Sequence, residues 1–174
     1  YIRTSNRKEQ MTLGLKEAVT LLAHPNLSNS TLVVRTDICD TYWREKWFPT
    51  MALITTEGFQ RMFDIENTSS FSPFKHENSF GMSERILNDG SLSKEIKIEE
   101  LSFIHEKLTL SEIKNIIISF LHSNKNSRNE KSAASFFTEL GYKVQIASDF
   151  KGDEKTRLLT AARFLSDELV LAHL

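Results

Sequence analysis

The sequence predicts an α/β fold, a mixed sheet flanked by helices, in a single domain. Two observations carry this. Short runs rich in β-branched residues (MALITT at 51–56, III at 116–118, YKVQI at 142–146) alternate with stretches whose apolar residues recur every three or four positions. The 174 residues, 40% hydrophobic and 26% charged, are also enough for one real core without metal or disulfide staples.

Residues 5–23 place Met11, Leu15, Val19 and Leu22 at helical spacing, and the helix should stop before His24-Pro25. Residues 30–34 form a short β-branched strand, and Asp37 can cap one or two helical turns over 38–46. Residues 51–56 read as a second, buried strand closed by Glu57-Gly58. Residues 59–65 read as a short helix, and the polar 66–79 as a loop. Phe80–Leu87 and Ser91–Ile96, joined by Asn88-Asp89-Gly90, suggest a β-hairpin. Ile98, Leu101, Ile104 and Leu108 mark a helix.

Residues 109–121 are ambiguous, because a capping-box pattern at Thr109–Glu112 competes with the β-branched Ile116–Ile118. The segment that follows favours a strand. Ser127-x-x-Glu130 reads as a capping box, Ala133, Phe136, Phe137 and Leu140 form a helical face, and Gly141 ends it before the strand at 142–146. Strand, helix and strand then make a right-handed βαβ unit. A last helix from about Glu154 turns Leu158, Leu159, Ala162, Leu165 and Leu169 inward.

A net charge of −1 with interspersed signs argues against a nucleic-acid groove or a basic membrane patch. One cysteine, Cys39, excludes an internal disulfide and fits a reducing, cytoplasmic setting. No apolar run reaches the ~20 residues that span a bilayer.

Few residues advertise chemistry. Asp37 and Asp40 stand near the end of a strand, where open α/β sheets place ligands. They could serve a metal-dependent phosphohydrolase, but two intervening residues break the one-residue spacing such sites need. An N-cap (Asp37) and a first-turn acid (Asp40) are the commoner arrangement. Asp89 with Glu95 and Lys97 imitates a nuclease pattern, yet Ser93, Lys94 and Glu99 mark a solvated hairpin edge. The histidines at 24, 76, 105, 122 and 173 lack metal-ligand spacing, and His122 is notable only for ending a strand. No phosphate-binding glycine motif or nucleophile elbow occurs.

The order of segments resembles the N-terminal region of the hydantoinase A / 5-oxoprolinase (N-methylhydantoinase) family. Thr50–Phe59, continuing to Ile65, is similar to its ALITTxGFRDVLEI stretch, and Leu13–Val19 to the GLxxAL helix before it. Ser83–Leu92 resembles the ERIxxDGxVL hairpin, Ile118–Ser123 with Glu130–Gly141 the CFLHSYxNP…LRELG segment, and Val144–Asp149 the VSLSSE strand. The resemblance covers about residues 12–170.

This resemblance implies part of an actin/Hsp70/sugar-kinase-like ATPase domain, in enzymes that use ATP and a divalent metal such as Mg to open cyclic amides. Activating an amide carbonyl by phosphorylation makes a poor electrophile attackable. A hydantoinase B-type partner and a small cyclic-amide substrate are implied as well. The cleft candidates are Arg35, Thr36, Asp37, Asp40, Thr55, Thr56, Gly58 and His122, with no metal ligand assigned.

The polar segments depart from the family pattern. Arg35-Thr36-Asp37 stands where Gly-Thr-Thr is usual (Thr36 retained), Glu66–Phe71 replaces GRQxRP, and EYERTST maps to about Arg157–Ala162, with Thr160 retained. The phosphate-binding DxGGTxTD strand and loop are expected to be missing, which leaves the isolated chain inactive. Two acids at a helix start would also repel a phosphate there. The alternative is a non-catalytic subunit-interaction or regulatory module that keeps the fold.

Overall fold

The computed structural model describes residues 38–45, 48–61 and 72–172, all within one compact unit. The expected helix over 5–23, the strand over 30–34 and most of the helix over 59–65 lie outside the described residues.

Four strands form a parallel sheet in the order β2-β1-β5-β6: β1 (Ala52–Thr56), β2 (Ser79–Met82), β5 (Asn115–Ser119) and β6 (Lys143–Ile146). Antiparallel pairing is confined to a separate two-stranded hairpin, β3 (Arg85–Ile86) with β4 (Leu92–Lys94). The helices are α1 (Ile38–Arg44), α2 (Ile98–Leu110), α3 (Arg128–Glu139) and α4 (Glu154–Leu171), with 3₁₀ turns at His76–Asn78 and Ala147–Asp149.

Residue alternation along the central strands builds two cores. Ala52, Ile54, Ile116 and Ile118 pack on one face with Leu101, Ile104 and Leu108 of α2 and with Ala133 and Phe137 of α3. Leu53 and Ile117 face the other way, onto Leu158, Ala161, Ala162 and Leu165 of α4. Helices therefore cover both faces, which explains why β1 and β5 read as unbroken apolar runs. Leu159 and Leu169 pack, partly buried, against the second core, on the face where they were expected.

The β5–α3–β6 unit forms as the sequence indicates, with the strand shortened to 115–119. Residues 98–110 continue as one helix through Thr109-Leu110. Glu112, at φ 54°, then turns the chain, and the Ile113 amide bonds back to the Leu108 carbonyl. No capping box forms at Thr109–Glu112, because Thr109 still belongs to α2. Gly141 closes α3 with φ 83°. Its N–H donates to Thr138 O and the Tyr142 N–H to Phe137 O, a Schellman closure with Tyr142 and Phe137 rings in edge contact.

Two expectations are corrected. The hairpin is shorter than 80–96, because Ser79–Met82 pairs in parallel with β1 and only Arg85–Ile86 meets Leu92–Lys94. Joining the main sheet lets Met82 become fully buried, a gain that a solvent-edged hairpin cannot offer. The Ser127–Glu130 capping box is also absent. Ser127 occupies the N-cap without a side-chain bond, and Glu130 is turned inward.

Candidate functional site

Because the four main strands are parallel, their carboxyl ends meet at one edge of the sheet. Thr56 ends β1, Ser83-Glu84 follows β2, Phe120-Leu121-His122 follows β5, and Ala147-Ser148 follows β6. This is the edge at which open α/β sheets bind ligands.

Two buried carboxylates organise it. Glu130, at 0% exposure, accepts the N–H of Phe120 at 2.8 Å and of Ser148 at 3.0 Å, tying the exit of β5 to the exit of β6. Burial raises its pKa above the ordinary glutamate value. The Ser148 and Ser123 hydroxyls, close but without good hydrogen-bond geometry, and the two amides act in the opposite direction. Glu84, at 1% exposure, accepts the Thr56 hydroxyl at 2.5 Å and the Asn129 side-chain N–H at 2.8 Å. Its pKa is raised too, by burial first, against the hydrogen bonds of Thr56 and Asn129. Thr56 Oγ1 also accepts the Leu121 N–H at 2.9 Å, and Asn129 donates to the Lys94 carbonyl at 3.0 Å. One polar network thus joins β1, the residue after β2, the β5–α3 loop, α3 and the hairpin.

The loop held by these carboxylates contains His122 at φ 60°, a left-handed conformation that a residue with a Cβ adopts seldom. His122 Nδ1 lies 3.8 Å from Glu154 Oε1, in the first turn of α4, and the same oxygen lies 3.5 Å from an Arg157 nitrogen. The Arg157 side chain is 1% exposed, and none of its three nitrogens makes a hydrogen bond. Lys125 donates to Asn88, and Asn126 to the Gly90 carbonyl at 3.0 Å, so the hairpin turn is pinned to this loop.

The candidates named from sequence distribute unevenly. Arg35, Thr36 and Asp37 lie outside the described residues. Asp40 sits in the first turn of α1 and pairs with Arg163, which also stacks on Trp43 and faces Asp167 at 3.6 Å. That engagement joins α1 to α4. Thr55 donates to the Ser119 carbonyl at 2.7 Å, a strand-to-strand tie. Gly58, at φ 91°, forms an exposed turn whose N–H meets Gln60 at 2.8 Å. Thr56 and His122 are brought to the polar edge, linked through Leu121. Glu84, Glu130, Asn129, Glu154 and Arg157 were not foreseen. A signal existed for two of them: Glu130 shares a helical stripe with Ala133 and Phe137, and Arg157 with Ala161 and Leu165.

The remaining motifs are structural. Asp89 accepts the Ser91 N–H and hydroxyl in the hairpin turn, and Glu95 pairs with Arg128 at 2.9 Å. His105 Nδ1 meets the Tyr142 hydroxyl at 2.9 Å. Among the described residues, no three His, Cys, Asp or Glu side chains gather to hold a metal ion. Glu84 and Glu130 are both engaged by protein donors, which leaves neither carboxylate free for a metal ion. None of the described helices is long and apolar enough to cross a membrane.

Comparisons with known proteins agree with this geometry. The profile of the hydantoinase/oxoprolinase N-terminal region matches residues 6–141. An uncharacterized protein of Methanocaldococcus jannaschii is 28% identical over 114 residues, covering 59% of this chain and 17% of that protein. The ATP-dependent caprolactamase of Pseudomonas jessenii superposes with a TM-score of 0.78 at 15% identity, over 96% of this chain and 27% of that one. Nucleotide-free acetone carboxylase, from work on ATP-dependent acetone carboxylation, superposes with a TM-score of 0.61 at 19% identity, over 76% of this chain and 22% of that one. The chain therefore spans about a quarter or less of these relatives, and the structural likenesses establish the shared α/β fold. The profile match over most of its length places the chain in the hydantoinase/oxoprolinase family, within that family's N-terminal region.

Proposed function

We propose that this chain is part of an ATP-dependent cyclic-amide hydrolase of the hydantoinase/5-oxoprolinase type, and that it is inactive alone. The observation that carries the reading is the convergence of four parallel strand ends on one polar edge, within a region of that family. In this reading the edge forms one wall of a cleft, with Thr56 and the His122 loop facing it. The caprolactamase relative is described as ATP-dependent, which supports a nucleotide requirement for the complete enzyme. In this reading a hydantoinase B-type partner completes the assembly.

Isothermal titration of the 174-residue chain with Mg-ATP tests the inactivity. No micromolar binding is expected, and micromolar binding by this chain alone would overturn it. For the complete enzyme, adding a panel of hydantoin, 5-oxoproline and caprolactam should accelerate ADP release. A flat response to all three argues instead for a non-catalytic interaction module. That second reading is favoured by one specific observation, the Arg35-Thr36-Asp37 sequence in place of Gly-Thr-Thr.

A further inference from the structure

We propose that His122, Glu154 and Arg157 form an oxyanion subsite, in which a ligand's carboxylate or phosphoryl group takes the place of the Glu154 carboxylate between imidazole and guanidinium.

The argument begins with Arg157. A guanidinium carries five N–H donors and stays charged in a protein, so burial without acceptors leaves a desolvated cation poorly compensated. Arg157 is buried to 1% exposure, yet Nε and both terminal nitrogens lack a hydrogen-bond acceptor. The anion beside it is Glu154, three residues earlier on α4. Its Oε1 stands 3.5 Å from the guanidinium and 3.8 Å from His122 Nδ1, too far from the imidazole and too poorly aligned with the guanidinium for a hydrogen bond. One oxygen thus sits between two nitrogens and is hydrogen-bonded to neither.

The planar fork of arginine matches two oxygens of a carboxylate or phosphate at once, a geometry that the monodentate contact of Glu154 does not supply. A ligand oxyanion can place one edge on Arg157 and a further oxygen on His122. The positive end of the 18-residue helix α4 adds to the attraction. Access follows from exposure: Glu154 and His122 are 31% and 25% exposed, so they form the mouth, with Arg157 as its floor. Displacing the Glu154 side chain toward solvent opens the guanidinium. His122 is held for this role, since the carboxylates of Glu130 and Glu84 fix the loop on which it adopts φ 60°.

The assignment goes beyond the nucleotide reading and does not depend on it. Thermal unfolding of the full chain is measured against sodium phosphate and, separately, sodium acetate, each at constant ionic strength with chloride as reference and without Mg or nucleotide. A saturable rise in Tm is expected from at least one anion. Saturation by phosphate and not acetate identifies a phosphoryl ligand, and the reverse identifies a carboxylate. Arg157→Met should weaken that anion's binding at least tenfold. Glu154→Gln, which removes the competing carboxylate while keeping shape, should tighten it at least threefold. The proposal is overturned if neither anion exceeds chloride, if Arg157→Met binds as the wild type does, or if Glu154→Gln binds equally or more weakly. Should Arg157→Met fail to fold, the Glu154→Gln arm decides alone. A failed Mg-ATP titration leaves this experiment unaffected, so the two readings fall separately.

Discussion

Replacing Thr56 by valine keeps the shape of the side chain and deletes one oxygen that serves two partners. In the wild type that oxygen donates to Glu84 at 2.5 Å and accepts the Leu121 N–H at 2.9 Å. Valine leaves a backbone donor unpaired, at a cost of about 1–3 kcal/mol, and strips a charge-assisted hydrogen bond from Glu84, worth about 1.5–3 kcal/mol. Relaxation and the extra methyl offset part of the sum, so a loss of about 2–4 kcal/mol is expected. For a chain of this size that corresponds to a fall in Tm of roughly 5–15 °C. Thr56→Ser is the control: it keeps the hydroxyl and removes one buried methyl, at about 1 kcal/mol. Thermal unfolding gives the magnitudes, and amide hydrogen exchange at Leu121 reports the local event. Equal stability of the valine and serine variants, or unchanged protection of the Leu121 amide, would refute the network as described.

Two further outcomes follow from the same geometry. Glu84 and Glu130 both have folded-state pKa values raised above 4.5 by burial. Each therefore contributes stability that is complete below its unfolded pKa and is lost as pH rises through the folded one. Denaturant titrations should show Glu84→Gln and Glu130→Gln improving relative to wild type as pH rises from about 4.5, and parallel pH curves would contradict the buried-carboxylate assignment. Asp40→Asn should cost less than about 1 kcal/mol, and less again at high salt, because Asp40 and Arg163 form a surface pair. A larger loss would mean that Asp40 does more than join α1 to α4.

Much of the fold was legible because the central strands are buried on both faces. The run at 51–56 reads directly as a buried strand, the ambiguous Ile116–Ile118 run is settled by the helix and strand that follow it, and Gly141 announces the end of α3 through a left-handed closure that glycine adopts at no steric cost. The hairpin was over-extended because Ser79–Met82 is set by its partner β1, a pairing 26 residues away in the register Leu53↔Ser79 that no local pattern encodes. Of the site, Thr56 and His122 were named, but their partners were not. Glu130 satisfied a local template, Ser-x-x-Glu, whose reward is one frayed N-cap. The folded chain instead uses it on two backbone amides of different segments. Local reading underestimates such a residue, since both donors arrive only after the sheet has formed. Arg157 carried the better warning, a charge on the apolar stripe of α4.

Why the protein keeps two buried carboxylates at the strand ends is a question of geometry more than of stability. Apolar residues of similar volume often serve a core as well as buried ions do, because desolvation consumes much of the gain. What apolar residues cannot do is accept N–H groups from Phe120, Leu121 (through Thr56) and Ser148. The Phe120 and Leu121 amides immediately precede His122 at φ 60°, and the Ser148 amide ties that turn to the exit of β6. Release them, and the loop has no reason to keep a strained residue facing Glu154. The same buried ions that reduce stability as pH rises therefore fix the orientation of the imidazole. Stability and site geometry should separate experimentally at this loop, with Glu130→Gln costing more in the order of His122 than in Tm.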